Sequence, residues 1–225
     1  MKIFTFAALL ASFLVVSCSK SDDTSPVSPS ASVYMTTASG SGWDYQQTNN
    51  TPPPATSLYS VTSTTRDTVV SGRSYHVYTN STSGTSEYYY INGSDYYTYQ
   101  SLPADLGGVK VENLYLKDNA SVNTSWSQNF NITYMGLPLV VTMVNTIKEK
   151  AISRTVNGIT YTNVIHVDSK ISVGGIPASG LTTDIQSYYA PKVGLIENTT
   201  KVTLNYLGLV NNTDLKTILR GTNIP

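Results

Sequence analysis

Two histidines and one cysteine hold most of the reactive chemistry that this chain could offer. His166 sits in the clearest local context. Asn157-Gly158 lies between the alternating runs "AISRTV" and "ITYTNVIHVD", and Asn-Gly between such runs marks a two-residue type I′ hairpin. Counting outward from that turn pairs Val156 with Ile159, Arg154 with Tyr161, Ile152 with Asn163, Glu149 with His166 and Ile147 with Asp168. Residues two apart on a strand share a face, so Glu149, His166 and Asp168 gather on one side. Two carboxylates around an imidazole are the parts of an acid–base pair or of a metal site. The same arrangement serves equally as a cross-strand charge pair, worth roughly 0.2–1 kcal/mol. The charge pair is the preferred reading, because hydrolysis also needs a nucleophile or a third strong ligand.

His76 follows a turn near Ser71-Gly72, which sets it opposite Asp67 as a paired sheet histidine. With so few imidazoles and no cysteine beyond Cys18, no zinc or iron site and no cofactor are expected. The chain has no Gly-x-Ser-x-Gly elbow, no phosphate-cradling glycine loop and no His-Glu-x-x-His. Its 14 acidic residues offer many carboxylate pairs, but nothing singles one out. The expectation is a protein that is not an enzyme. Fourteen Lys and Arg balance those acids to a net charge of +0, which leaves no electrostatic footprint for nucleic acid.

Cys18 ends the segment "MKIFTFAALLASFLVVSC", in which Lys2 precedes an apolar run of signal-peptide length. "VVSC" resembles a bacterial lipobox, in which the cysteine becomes the first mature residue and carries the lipid. Residues 1–17 are then a lipoprotein signal peptide, and residues 18–40, Ser/Pro/Asp-rich at their start, a disordered tether. Residues 41–225 form the domain, held to a membrane through the lipid on Cys18. "CSKSDD" also resembles the Ser/Asp-rich export signal of surface lipoproteins in Bacteroidota-type bacteria. That resemblance implies the outer membrane, facing the cell exterior.

The aromatic residues raise a different question. The chain carries 17 tyrosines against 4 phenylalanines, and six of the tyrosines crowd into "EYYYINGSDYYTYQ". A two-residue turn at Asn92-Gly93 pairs Tyr89 with Tyr96 and Tyr88 with Tyr97. Alternation puts Tyr89 and Tyr96 on the face of Ile91, and Tyr88, Tyr90, Tyr97 and Tyr99 on the other. Those four rings are either a packed layer or an exposed ligand-binding platform, since tyrosine supplies rigid amphipathic contact area.

Strands bounded by Gly, Asn, Pro and Ser must position all of these residues. Helical periodicity is nearly absent, and no fixed-period repeat occurs. The chain predicts an all-β domain, a single curved antiparallel sheet or half-barrel of roughly ten to thirteen strands. In "LPLVVTMVNTIKEK", Leu139, Val141, Met143 and Ile147 share one face while Val140 and Val144 share the other, which predicts a central strand covered on both sides.

From Asp67 on, "DTVVSGRSYHVYTNS", "YLKDNASVNTSWSQ", "TIKEKAISRTVNGITYTNVIHV" and "YYAPKVGLIENTT" resemble a family of uncharacterised lipoproteins from Bacteroidota-type bacteria. "YYAPKVGLIE" is also similar to a hairpin of LolA-like lipoprotein-carrier half-barrels, which implies a curved sheet with a concave apolar face. The carriers' helices have no clear counterpart in this sequence. The expected role is a non-enzymatic binding or carrier module for an amphipathic or lipid-like ligand. The alternative is a glycan-binding or adhesive module that uses the tyrosine face. Two smaller expectations remain. Asp67-Thr68-Val69 resembles the O-glycosylation signal of exported Bacteroidota proteins, which would modify Thr68. The loop Gly174 to Gly180 reads as a simple turn in preference to a lid.

Overall fold

The computed structural model describes residues 33–82, 86–101, 108–134 and 136–225. Cys18, the signal segment and the start of the tether lie outside the described residues.

Twelve strands follow one another: β1 (Gly42–Asn49), β2 (Ala55–Val70), β3 (Arg73–Asn80), β4 (Ser86–Asn92), β5 (Asp95–Ser101) and β6 (Lys110–Lys117), then β7 (Ser125–Tyr134), β8 (Leu137–Val156), β9 (Ile159–Val173), β10 (Leu181–Ala190), β11 (Gly194–Tyr206) and β12 (Leu209–Asn223). No helix occurs among the described residues. All pairings are antiparallel, and the sheet order is β6-β5-β4-β3-β2-β1-β12-β11-β10-β9-β8-β7. Every neighbour except the β1–β12 pair is therefore consecutive in sequence. The sheet rolls up until its two edges, β6 and β7, meet.

Side chains close that last seam in place of a backbone ladder. Gln128 Oε1 accepts from the Leu114 N–H at 2.9 Å, and Trp126 Nε1 donates to the Leu114 carbonyl at 2.7 Å. Asn145 Nδ2, from β8, donates to the same carbonyl at 3.3 Å. An exposed sheet edge invites pairing with another chain, and here each edge is blunted against the other. The result is a nearly closed barrel.

Aliphatic and tyrosine side chains dominate the interior, where Glu87 bonds the Tyr89 hydroxyl, and most charged side chains lie outside. On β9, Ile165 and Val167 point inward, while His166, Asp168 and Lys170 point outward. On β11 and β12 the outer residues include Lys201, Asp214 and Lys216. A membrane-spanning barrel has the inverse pattern, with its apolar band outside. Val140 is also an outward residue, 44% exposed. This corrects the expectation that β8 is covered on both faces: a single rolled sheet covers only its inner side.

Tyrosine fills the interior where other barrels use leucine. Tyr78 meets Tyr89 edge-on at 4.9 Å and Trp43 at 5.8 Å, and Tyr115 bridges Tyr89, Tyr96 and Tyr189. Such pairs add about 0.5–1.5 kcal/mol each beyond the area they bury. Some hydroxyls find backbone partners, as Tyr45 donates to the Leu195 carbonyl at 2.9 Å and Tyr78 to that of Thr36 at 2.7 Å, while that of Tyr89 donates to Glu87 at 2.9 Å.

Of residues 33–40, expected as the end of the tether, Tyr34 and Met35 are buried, packed into one end of the barrel. The Tyr34 hydroxyl donates to the Asn163 carbonyl at 2.7 Å, and the Lys192 N–H donates to the Val33 carbonyl at 2.6 Å. This segment closes the end that carries the β4–β5, β8–β9 and β10–β11 turns.

Candidate functional site

The open half of the barrel is built in layers, because each inward residue lies one pleat above the last. On β8 the inward series is Ile147, Asn145, Met143, Val141; on β9 it is Val167, Ser169, Ile171, Val173; on β10 it is Tyr189, Ser187, Ile185, Thr183. Aliphatic and tyrosine side chains therefore form a floor. A belt of amides and hydroxyls lies above the floor, and on β8 to β11 aliphatic side chains rise above the belt. The cavity enclosed is about 580 Å³, lined by Gln47, Asn113, Asn145, Ser187, Asn198, Met143, Ile185 and Leu215 among others. That volume is in the usual range for small-molecule sites. Met143, Val141, Ile171 and Val202 remain only half-buried toward the mouth, although all point inward.

The belt is largely bonded within itself. Ser169 Oγ donates to Asn145 Oδ1 at 2.6 Å, Asn198 Nδ2 donates to Ser187 Oγ at 3.0 Å, and Thr200 donates to Asn198 Oδ1 at 2.9 Å. Asn113 Oδ1 is the exception: it is buried and has no partner among the described residues. Beneath the belt, burial pushes up the hydroxyls of Tyr45, Tyr89 and Tyr115, and that of Tyr189 to about 12. The phenolate is disfavoured there because the surroundings cannot solvate it. None of these lumen residues stood out in the sequence, since their identities have meaning only once twelve strands bring them into one ring.

Glu149, His166 and Asp168 do come together, on the outer surface. His166 Nδ1 lies 2.8 Å from Glu149 Oε2. Asp168 reaches the group through Gln186, whose amide bridges His166 Nε2 at 2.6 Å and Asp168 Oδ1 at 2.7 Å. The register differs from the sequence count in two places: Ile152 faces Val164, and Ile147 faces Val167. Bulges at Ala151 and Asn163, both with positive φ, shift the register in opposite senses, so Glu149 still faces His166, and a further irregularity between Ile147 and Glu149 sets Ile147 against Val167. The His166 ring stacks on Tyr188 at 4.3 Å, and Arg154 lies over that tyrosine and bonds Glu197 at 2.8 Å. These contacts give both nitrogens of His166 a partner. Among the described residues no three His, Cys, Asp or Glu converge as a metal site.

His76 faces Asp67 as expected, at 2.7 Å, and the structure adds a third member. Ser63 Oγ lies 2.8 Å from His76 Nε2. Serine, imidazole and carboxylate in that order have the spacing of a hydrolytic relay. Ser63 is only 2% exposed, however, and its hydroxyl donates to the Thr37 carbonyl at 3.2 Å. The relay thus faces the packed N-terminal segment and ties it to β2 and β3.

The tyrosine hairpin turns at Gly93-Ser94, not at Asn92-Gly93. Asn92 pairs with Asp95, Tyr90 with Tyr97 and Tyr88 with Tyr99. Gly93 takes φ +60°, the glycine-first arrangement of a type II′ turn. The expected pairs Tyr89–Tyr96 and Tyr88–Tyr97 are therefore corrected, but the slip is by two residues, so the faces are kept. Tyr89 and Tyr96 join the interior. Tyr88, Tyr90, Tyr97 and Tyr99 lie half-buried on the outer face, around a fifth ring, Tyr75. Arg73 lies 5.0 Å over Tyr97 and pairs with Glu112. Beside them, Thr68, Val70, Tyr88, Tyr99 and Lys110 border a hollow of about 760 Å³. Thr68 is half-buried on β2 at its rim. The Gly174–Gly180 loop joins β9 to β10 at the open end, where the Gly174 N–H bonds the Val140 carbonyl.

Fold and lumen together define a class: single-sheet antiparallel barrels with most charges outside and an internal cavity of mixed aliphatic, aromatic and uncharged polar lining. The chain is similar to a candidate lipoprotein from Parabacteroides distasonis, whose crystal structure matches with a TM-score of 0.50 over 86% of this chain and 99% of that one. The two sequences are 14% identical, so the likeness is one of fold. No family model and no curated protein matches the chain. The segment similar to carrier half-barrels forms the β10–β11 hairpin. The carriers' helices have no counterpart among the described residues.

Proposed function

We propose that the protein is a lipid-anchored, non-enzymatic binding module of the outer membrane, facing the cell exterior, that carries an amphipathic or lipid-like ligand in its lumen. The layered cavity carries this reading: an aliphatic wall toward the mouth encloses a belt of uncharged polar groups. The lipobox-like "VVSC" ending at Cys18 and the fold likeness to a candidate lipoprotein support the anchoring. Native mass spectrometry of the protein, delipidated and purified without detergent, tests the lumen. A bound lipid-like species is expected, and Ser187→Trp, which fills the belt, removes it. A spectrum without adducts, unchanged by Ser187→Trp, would sink the reading.

A second reading rests on the outer face, where the half-buried rings of Tyr88 and Tyr99 border the larger hollow and those of Tyr90 and Tyr97 lie beside them. It predicts glycan-array binding that Tyr88→Ala and Tyr97→Ala abolish without moving the melting temperature. If the rings are packing alone, Tyr97→Ala instead destabilises the fold, by up to about 3–5 kcal/mol for a large aromatic.

A further inference from the structure

We propose that the lumen selects a ligand whose polar end is uncharged and carries a hydroxyl or amide donor, such as a monoacylglycerol-type neutral amphiphile, with that donor bonded to Asn113. The inference rests on the lumen reading above and adds the chemistry of the head group.

Three observations carry it. First, none of the described residues lining the cavity is Asp, Glu, Lys, Arg or His. A carboxylate or phosphate placed there would meet no counter-charge, and a buried unpaired charge is far costlier than a buried neutral group. The nearest acid, Glu87, stands behind the lining and already accepts from Asn80 and from the Tyr89 hydroxyl, so an ammonium in the cavity also meets no free counter-charge.

Second, the belt has already spent most of its hydrogen-bonding capacity on itself. Asn145 is held between the Leu114 carbonyl and Ser169, and Asn198 between Ser187 and Thr200. Gln47 Nε2 donates to Thr217 at 3.3 Å. Among the buried side-chain atoms of the described lining residues, the one left without a partner is Asn113 Oδ1. That atom is an acceptor. It is complemented by an O–H or N–H and repelled by a carboxylate or phosphate oxygen. Leaving such a buried acceptor unmet costs on the order of 1–3 kcal/mol, so a ligand that supplies the donor gains more than an ordinary surface hydrogen bond gives.

Third, the direction of the ligand follows from the layers. The polar belt lies next to the tyrosine floor, and Met143, Ile171, Ile185 and Val202 stand one pleat nearer the mouth. A head at the belt therefore leaves its chain along the aliphatic wall toward the open end. The raised tyrosine hydroxyls below mark the floor as poorly solvating, in keeping with a neutral head.

The test uses the whole protein carrying Cys18→Ala, so that it has no acyl chain of its own. Monopalmitoylglycerol, palmitate and palmitoyl-lysophosphatidylglycerol are titrated in turn by calorimetry at neutral pH, each below its micelle concentration. Monopalmitoylglycerol is expected to bind at least about tenfold tighter than either anion. Asn113→Leu should lower its affinity by about tenfold, the loss of one buried hydrogen bond, while palmitate binding changes little. Equal or tighter binding of palmitate or of the lysophospholipid overturns the head-group inference and leaves the lumen reading standing. Binding by none of the three, with Ser187→Trp indistinguishable from the unaltered barrel, overturns the lumen reading and this inference with it. The comparison of probes needs no lumen variant, so it decides the matter even if Asn113→Leu fails to fold.

Discussion

Tyr96→Phe removes one oxygen atom and should loosen the end of the barrel. Tyr96 is 1% exposed, and its hydroxyl makes two bonds. It accepts from the Tyr34 N–H at 3.0 Å and donates to Asp118 Oδ2 at 2.7 Å. The first bond holds the N-terminal segment to β5, and phenylalanine leaves that amide buried without an acceptor. A buried unmet donor costs roughly 1–3 kcal/mol, and a lost bond to a charged group about 1.5–3. Asp118 is only half-buried and water can replace its lost donor, so the sum belongs near about 2–3 kcal/mol. For a domain of this size one kcal/mol moves the melting temperature by about 2–4 °C, which predicts a fall of about 4–12 °C. Thermal melts followed by circular dichroism measure the fall. Hydrogen exchange should show the faster opening first in residues 33–41, ahead of β8 and β9. If the variant melts within about 1 °C of the parent and residues 33–41 stay equally protected, the segment is not held by this bond and the account of the closed end is wrong.

Other expectations concern the turn, the acid stability and the anchor. Asn157 and Gly158 both have positive φ, and a Cβ at Gly158 would touch nothing within 4 Å. Gly158→Val should therefore cost roughly 1–3 kcal/mol through backbone strain alone, read from urea unfolding, and an unchanged midpoint would contradict the turn. Burial by itself would raise the Glu197 carboxyl, but hydrogen bonds from Arg154 and Lys216 outweigh it and hold the group below the usual glutamate range. A depressed folded-state value gives stability that is fully present above the ordinary glutamate pKa and is lost as pH falls through the lowered one. Melts between neutral and strongly acidic pH should thus decline less for Glu197→Gln than for the parent; parallel curves would refute the pairing. Cys18→Ala should abolish labelling by an acyl probe and shift the protein out of the membrane fraction, whereas a labelled, membrane-bound variant would end the lipoprotein reading.

The local rules of β-structure were legible residue by residue. Alternation sorted Tyr89 and Tyr96 from Tyr88, Tyr90, Tyr97 and Tyr99 correctly, even with the turn misplaced, because a two-residue slip preserves a period of two. Asn157-Gly158 set Glu149 against His166, since an Asn-Gly pair admits the two positive φ values that a type I′ turn needs. What the sequence could not show were the events at a distance. The bulges at Ala151 and Asn163 offset one another, and a third irregularity between Ile147 and Glu149 moved Ile147 from Asp168 to Val167, because sheet curvature, not local preference, decides where a strand gains a residue. Ser63 met His76 across a register shift between β2 and β3 that no turn residue announces. Val140 read as buried on periodicity alone, and it is exposed because a sheet rolled into a barrel covers one face only. The lumen depended most on tertiary structure. Asn113, Asn145, Ser187 and Asn198 are unremarkable polar residues in four separate strands. They become a site only when β6 meets β7 and the curvature of the whole sheet turns their faces toward one another.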